Sequence, residues 1–125
     1  MATTMTEKNF QVSRHEGFCF YGESVTTLDA AVAPTRPWEL DSVRLHLISA
    51  IVSVVYLRIW LSCGTGMSTP YNLLLLSLPM SGVLDVFWGP ERTMILDYGD
   101  QLLISCGATK AHEYGLAING WAVTG

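Results

Sequence analysis

The clearest signal along the chain is a period-two exchange of apolar and polar side chains in its middle. Val43-Arg44-Leu45-His46-Leu47 alternates strictly, and Leu57-Arg58-Ile59-Trp60-Leu61-Ser62 does so again. Successive side chains of an extended strand point to opposite faces. The period therefore predicts strands with aliphatic residues on one face and Arg, His and Ser on the other. A hydropathy window would read Val43 to Cys63 as one membrane helix. A spanning helix needs about 20 residues with few or no charges, and Arg44, His46 and Arg58 leave only Leu47 to Leu57 free of them. Ile51, Val52, Val54, Val55 and Tyr56 are strand-formers. Two strands joined at Ser49 to Ser53 are expected.

Turn residues divide the rest. Trp38 to Ile48 and Ser53 to Cys63 are the first two runs. Loops at Gly64-Thr65-Gly66 and Ser68-Thr69-Pro70 follow, then a continuous apolar run, Tyr71 to Met80, that Pro70, Pro79 and Gly82 confine to strand length. Val83 to Trp88 alternates, Gly89 to Arg92 ends it, and Thr93 to Leu96 is short. After a turn at Gly99-Asp100 come Gln101 to Cys106, a loop at Gly107 to Lys110, and His112 to Val123. In that last strand Leu116 and Ile118 share a face opposite Ala117 and Asn119. Seven or so short strands without a long amphipathic helix predict an all-β fold, an antiparallel β-sandwich of jelly-roll-like kind. Helical crossovers for a parallel α/β sheet are missing.

Residues 1 to 37 read differently: few aliphatics, many Thr, Ser, Glu and Gly, and a closing Ala33-Pro34-Thr35-Arg36-Pro37. The two prolines mark extended chain. The expected organisation is an extended N-terminal arm over residues 1–37 and a β-sandwich domain over 38–125. Within the arm, Phe18-Cys19-Phe20-Tyr21 is an aromatic anchor for its own domain's sheet or for a neighbouring subunit, and Thr26 to Val32 (TTLDAAV) reads as a helical turn. The first residues lack the basic and apolar regions of a signal peptide.

Composition narrows the partners. The chain has 125 residues, enough for one core, and a net charge of -4. Its seven Lys and Arg residues are scattered, with no basic face for nucleic acid. Apolar residues make up 50% and charged residues 14%, a lean charge content that calls for membrane or for partner surfaces.

Catalytic patterns are weak. Cys19, Cys63 and Cys106 are odd in number, with no CxxC, and have no metal-ligand spacing to His15, His46 or His112; reduced thiols are expected. GxSxG is missing, and Cys63-Gly64-Thr65-Gly66 lacks the further glycine and helix of a phosphate loop. Asp97 and Asp100 flank a turn, where Asp is structural. No enzyme, catalytic residue, metal or cofactor is expected. Trp38, Trp60, Trp88 and Trp121 suit packing or subunit contact better than a sugar-stacking face.

The order VRLHL (43–47), YLRIWL (56–61), YNLLLLSLPM (71–80), LDVFWGPERTMILDYGDQLLISC (84–106) and EYGLAI (113–118) resembles small β-sandwich proteins of tailed-bacteriophage virions over about residues 38 to 121. The likeness is carried by the Leu84–Cys106 segment and the closing Glu113–Ile118 strand. It implies a non-enzymatic virion structural protein, assembled in the host cytoplasm. The first expectation is a capsid decoration or cement protein that contacts itself, as a trimer or other symmetric oligomer, and the major capsid protein. A tail or fibre component is the alternative within that class; a carbohydrate-binding sandwich and a small membrane protein are the alternatives outside it. Neither nucleic acid nor membrane is expected as a partner. Phe18, Phe20, Tyr21, Trp38, Trp60 and Trp88 are the expected subunit-interface residues. Removing residues 1–37 is expected to abolish particle incorporation and leave a folded core.

Overall fold

The computed structural model describes residues 6–12, 14–33, 36–51, 55–63, 71–97 and 99–123. They form eight strands: β1 (Thr6–Val12), β2 (His15–Val32), β3 (Trp38–Leu47), β4 (Tyr56–Cys63), β5 (Tyr71–Pro79), β6 (Asp85–Trp88), β7 (Ile95–Leu96) and β8 (Gln101–Ala122). No helix occurs among the described residues. All strand pairs are antiparallel.

The frame is a ribbon of the two longest strands. β2 and β8 pair from His15↔Trp121 to Val32↔Leu102, with register shifts between Gly22 and Val25 and between Val25 and Thr27. Bulges bend and twist a strand pair, so the ribbon passes from one sheet into another. On one side of the shifts β1, β2, β8, β3 and β6 lie in that order, with β7 on β3 beside Trp38 and Glu39. On the other side, the second half of β2 and the first half of β8 continue into β4 and β5. The result is two antiparallel sheets sharing hydrogen-bonded strands, an arrangement consistent with a β-sandwich.

One apolar core is shared by both. The first sheet contributes Phe20, Trp38, Leu40, Val43, Leu45, Leu47, Tyr114, Leu116 and Ile118; the second contributes Leu28, Ala30, Val32, Leu57, Ile59, Leu102, Ile104 and Cys106. In β3 the alternation holds: Val43, Leu45 and Leu47 are buried, Arg44 and His46 exposed. In β4 it holds for Leu57, Arg58 and Ile59 and then breaks, because Ser62 is buried and Leu61 only half-buried. The break adjoins a register shift between Ile59 and Trp60 against β5. Residues 43–47 and 56–63 are therefore two strands; residues 52 and 53 of the expected connection lie outside the described residues. No described helix is long and apolar enough to cross a membrane.

Three expectations are corrected. Residues 6–12 and 15–32 do not run free as an arm: they are β1 and β2, and Leu28, Ala30 and Val32 are core side chains. Removing residues 1–37 would strip β8 of its longest partner, so a folded remainder is not expected. Thr26 to Val32 is strand, not a helical turn. The expected loop at Gly107 to Lys110 is instead strand backbone inside β8, which unites the last two expected strands. The loops expected at residues 64–66 and 68–70 lie outside the described residues.

Two positions depend on glycine, one for a close approach and one for its backbone conformation. Gly120 lies under the Trp38 indole, where a methyl group would overlap the ring and the Glu39 carbonyl oxygen. Gly82 has φ of 79° in the turn closed by the Val83 amide donating to the Met80 carbonyl at 3.0 Å, a conformation that L side chains avoid.

Candidate functional site

The six expected interface residues do not form one surface. Phe20 and Trp38 are buried at 6% and 0% exposure, so both belong to the domain's own core. Phe18 is half-buried and meets Trp38 edge-on, ring centroids 5.6 Å apart at 89°. Of the anchor only Tyr21 projects, half exposed. Of the two places left open for that anchor, the structure takes the one within its own sheet, with β2 between β1 and β8. Trp88 sits opposite Val43 and packs on the core, while Trp60 sits opposite Leu103 and Leu74 on the outer face of the second sheet. Trp121, on the outer face of the first sheet, lies 4.8 Å from the His15 ring. Trp60, Trp88 and Trp121 thus point three different ways, and no sugar-stacking platform of tryptophans results.

The outer face of the first sheet is ordered by paired polar and aromatic groups. His46 Nδ1 and Asp85 Oδ1 are 2.6 Å apart across β3 and β6. One rung away, the Arg44 guanidinium carbon lies 5.1 Å from the Phe87 ring centroid. Opposite residues of an antiparallel pair share a face, so the register Arg44↔Phe87 and His46↔Asp85 makes both contacts. These are exposed contacts, worth little individually.

A cleft of about 450 Å³ opens where β1 and the end of β2 meet, lined by Glu7, Asn9, Gln11, Glu16, Phe18 and Val32 among others. Glu16, nearly buried, accepts from Arg36 Nε at 2.6 Å. The buried carboxylate is thereby paired, as a charge out of water must be. No described group of three His, Cys, Asp or Glu side chains is placed to hold a metal ion. All three cysteines are free. Burial pushes the Cys106 thiol up to about 11 and, with the nearby Cys106, the Tyr114 hydroxyl up to about 12. Cys63 is also raised, by burial and then by the Asp100 carboxylate. A thiol that stays protonated at neutral pH is a poor nucleophile.

The most exposed apolar strand was not among the expected interface residues. In β5, Tyr71, Leu73 and Leu74 are exposed, and only Leu75, Leu76 and Leu78 pack on the core. Phe87 and Leu84 are exposed elsewhere. The signal was present in the sequence as an uncharged run without alternation. It reads as a covered strand, and only its position in the sheet reveals the uncovered side.

No protein-family model matches the chain, and no curated protein matches it.

Proposed function

We propose that this protein is a non-enzymatic assembly protein, a virion structural component of a tailed phage that works through contacts with copies of itself and with other particle proteins. One observation carries the reading: a small β domain with 14% charged residues leaves Tyr21, Tyr71, Leu73, Leu74, Leu84, Phe87 and Trp121 substantially exposed. Large apolar side chains left in water at this density are covered in a working protein by partner surface. The resemblance of residues 84–106 and 113–118 to virion sandwich proteins supplies the kind of partner. A capsid decoration role comes first within it and a tail or fibre role second; a jelly-roll arrangement of the strands fits both.

The test is to add the purified chain to particles assembled without it and locate it by electron microscopy. Regular density on the shell supports decoration, and density on the tail supports the tail role. Binding to neither rejects the proposal.

A further inference from the structure

β5 is where the pattern of the sequence and the surroundings of the strand disagree. Its nine residues, YNLLLLSLP, carry no charge. A run apolar on both faces is the pattern of a strand covered on both faces. β5 nevertheless bonds only to β4, and its other edge has no partner among the described residues. Tyr71, Leu73 and Leu74 are 67%, 45% and 44% exposed.

Edges that must stay single are normally blunted by charge, by proline or by shortness. The other free edges of this fold follow that rule. β1 carries Glu7 and Lys8, the second half of β2 carries Asp29, and β6 and β7 have four and two residues. β5 has only Pro79 at its last position and the register shift at Leu75.

We propose that β5 pairs antiparallel with β5 of a second copy across a two-fold axis, joining the second sheets of two molecules into one continuous sheet. The occupant follows from charge and length. Meeting itself, an uncharged strand opposes no like charges, which destabilise cross-strand pairs. Meeting any other free edge of this fold, it would face Glu7, Lys8 or Asp29, or a strand half its length or less. Symmetry also fixes the centre. Opposite residues of an antiparallel pair share a face, and a two-fold axis perpendicular to the sheet keeps every residue on its own face, so one residue must stand opposite its copy. Near the middle of β5 that residue is Leu74 or Leu75. With either centre, three successive leucines oppose leucines. The inference deepens the assembly reading by naming the contact between copies, and it rests on that reading only for its biological use.

Sedimentation velocity of the full chain at about 100 µM reads the outcome directly. The wild-type chain is expected at twice its 13.7 kDa mass. Leu74→Lys, which alters an exposed position, is expected to sediment as a monomer with an unchanged strand spectrum. Phe87→Lys, on the other sheet, is expected to remain a dimer. A monomeric wild type, a dimeric Leu74→Lys, or dissociation by Phe87→Lys equally overturns the proposal. A second measurement does not depend on disrupting the strand. In a Cys63→Ser background, Leu74→Cys or Leu75→Cys places a thiol opposite its own copy at a Cα separation of roughly 4.5 to 5.5 Å, within disulfide reach. Rapid oxidation to a covalent dimer at one of the two supports the pairing, and failure at both rejects it. A β5 dimer that binds no particle would reject the assembly reading and leave the pairing intact. A particle-bound chain that never dimerises would do the reverse.

Discussion

β3 and β5 have nearly the same length and opposite logic. β3 has paired neighbours on both sides, β8 on one and β6 and β7 on the other, and its polar positions sit on the outer face, where Arg44 and His46 meet Phe87 and Asp85. β5 stands at the end of the second sheet with one neighbour, yet it has no charged residue. An isolated domain would reverse these assignments, giving the charges to the edge and the leucines to the middle. The difference teaches that β3 is fitted to its place inside the folded chain, whereas β5 has the composition of a covered strand at an edge with one described neighbour, the mismatch on which the proposed pairing with a second copy rests.

The sharpest way to break the comparison is to truncate one leucine in each strand. Leu45→Ala, at a fully buried position of β3, is expected to destabilise by about 2 to 5 kcal/mol. Leu74→Ala in β5 is expected to change the unfolding free energy of the monomer by less than about 1 kcal/mol. Urea unfolding of both variants checks this, and equal losses would place β5 in the core after all. Next in size is Gly120→Ala, which forces a methyl group into the Trp38 indole and should destabilise by about 1 to 3 kcal/mol. In a Trp38→Leu background the same change should be much milder, and an unchanged penalty would separate it from the indole.

Alkali should weaken the shared core from both sheets, through Cys106 of the second and Tyr114 of the first. Cys106 is buried and its thiol lies at about 11 against an ordinary 9.0. Its contribution to stability is complete below pH 9. It is lost as pH rises from 9 to 11, because the unfolded chain releases the proton first, a fall of roughly 2 kcal/mol. Tyr114, raised from 10.0 to about 12, extends the decline. Cys106→Ala should flatten the pH 9 to 11 part of a melting-temperature profile, and an unaltered slope there would assign the loss elsewhere. The smallest effect belongs to the outer face of the first sheet. Asp85→Asn removes an exposed partner of His46 and should cost under about 1 kcal/mol, measurable in a double-mutant cycle with His46→Gln; a larger coupling would mean that the pair organises the β3–β6 edge.

Much of the architecture was legible in local patterns. Arg44 and His46 pointed outward from β3, and Asp85 and Phe87 outward from β6, as the alternation required. What failed was local reading of segments whose structure is set by a distant partner. β2 reads as an arm because Gly22 to Thr27 has a single aliphatic, Val25, although Phe18 and Phe20, then Leu28, Ala30 and Val32, alternate on either side of the gap. Gly107 to Lys110 reads as a loop by composition. The strand instead runs on through it as an irregular stretch of the ribbon: between Val25 and Thr27 of β2 the paired residue of β8 changes from His112 to Gly107. Two of the six expected interface residues lie in the core for a related reason. Aromatic character marks a residue that wants cover, and Phe20 and Trp38 find theirs inside the domain.

The sequence by itself determined the all-strand character and which side chains of β3, β6 and the end of β8 turn inward, because the pleat makes facing a property of neighbouring residues. The tertiary structure alone decided that the first half of β2 lies between β1 and β8, that β8 is continuous and that β5 lies at an edge. Backbone hydrogen bonds between strands are nearly blind to side-chain identity, so the choice of a partner as distant in sequence as Trp121 is from His15 is settled by the shared core.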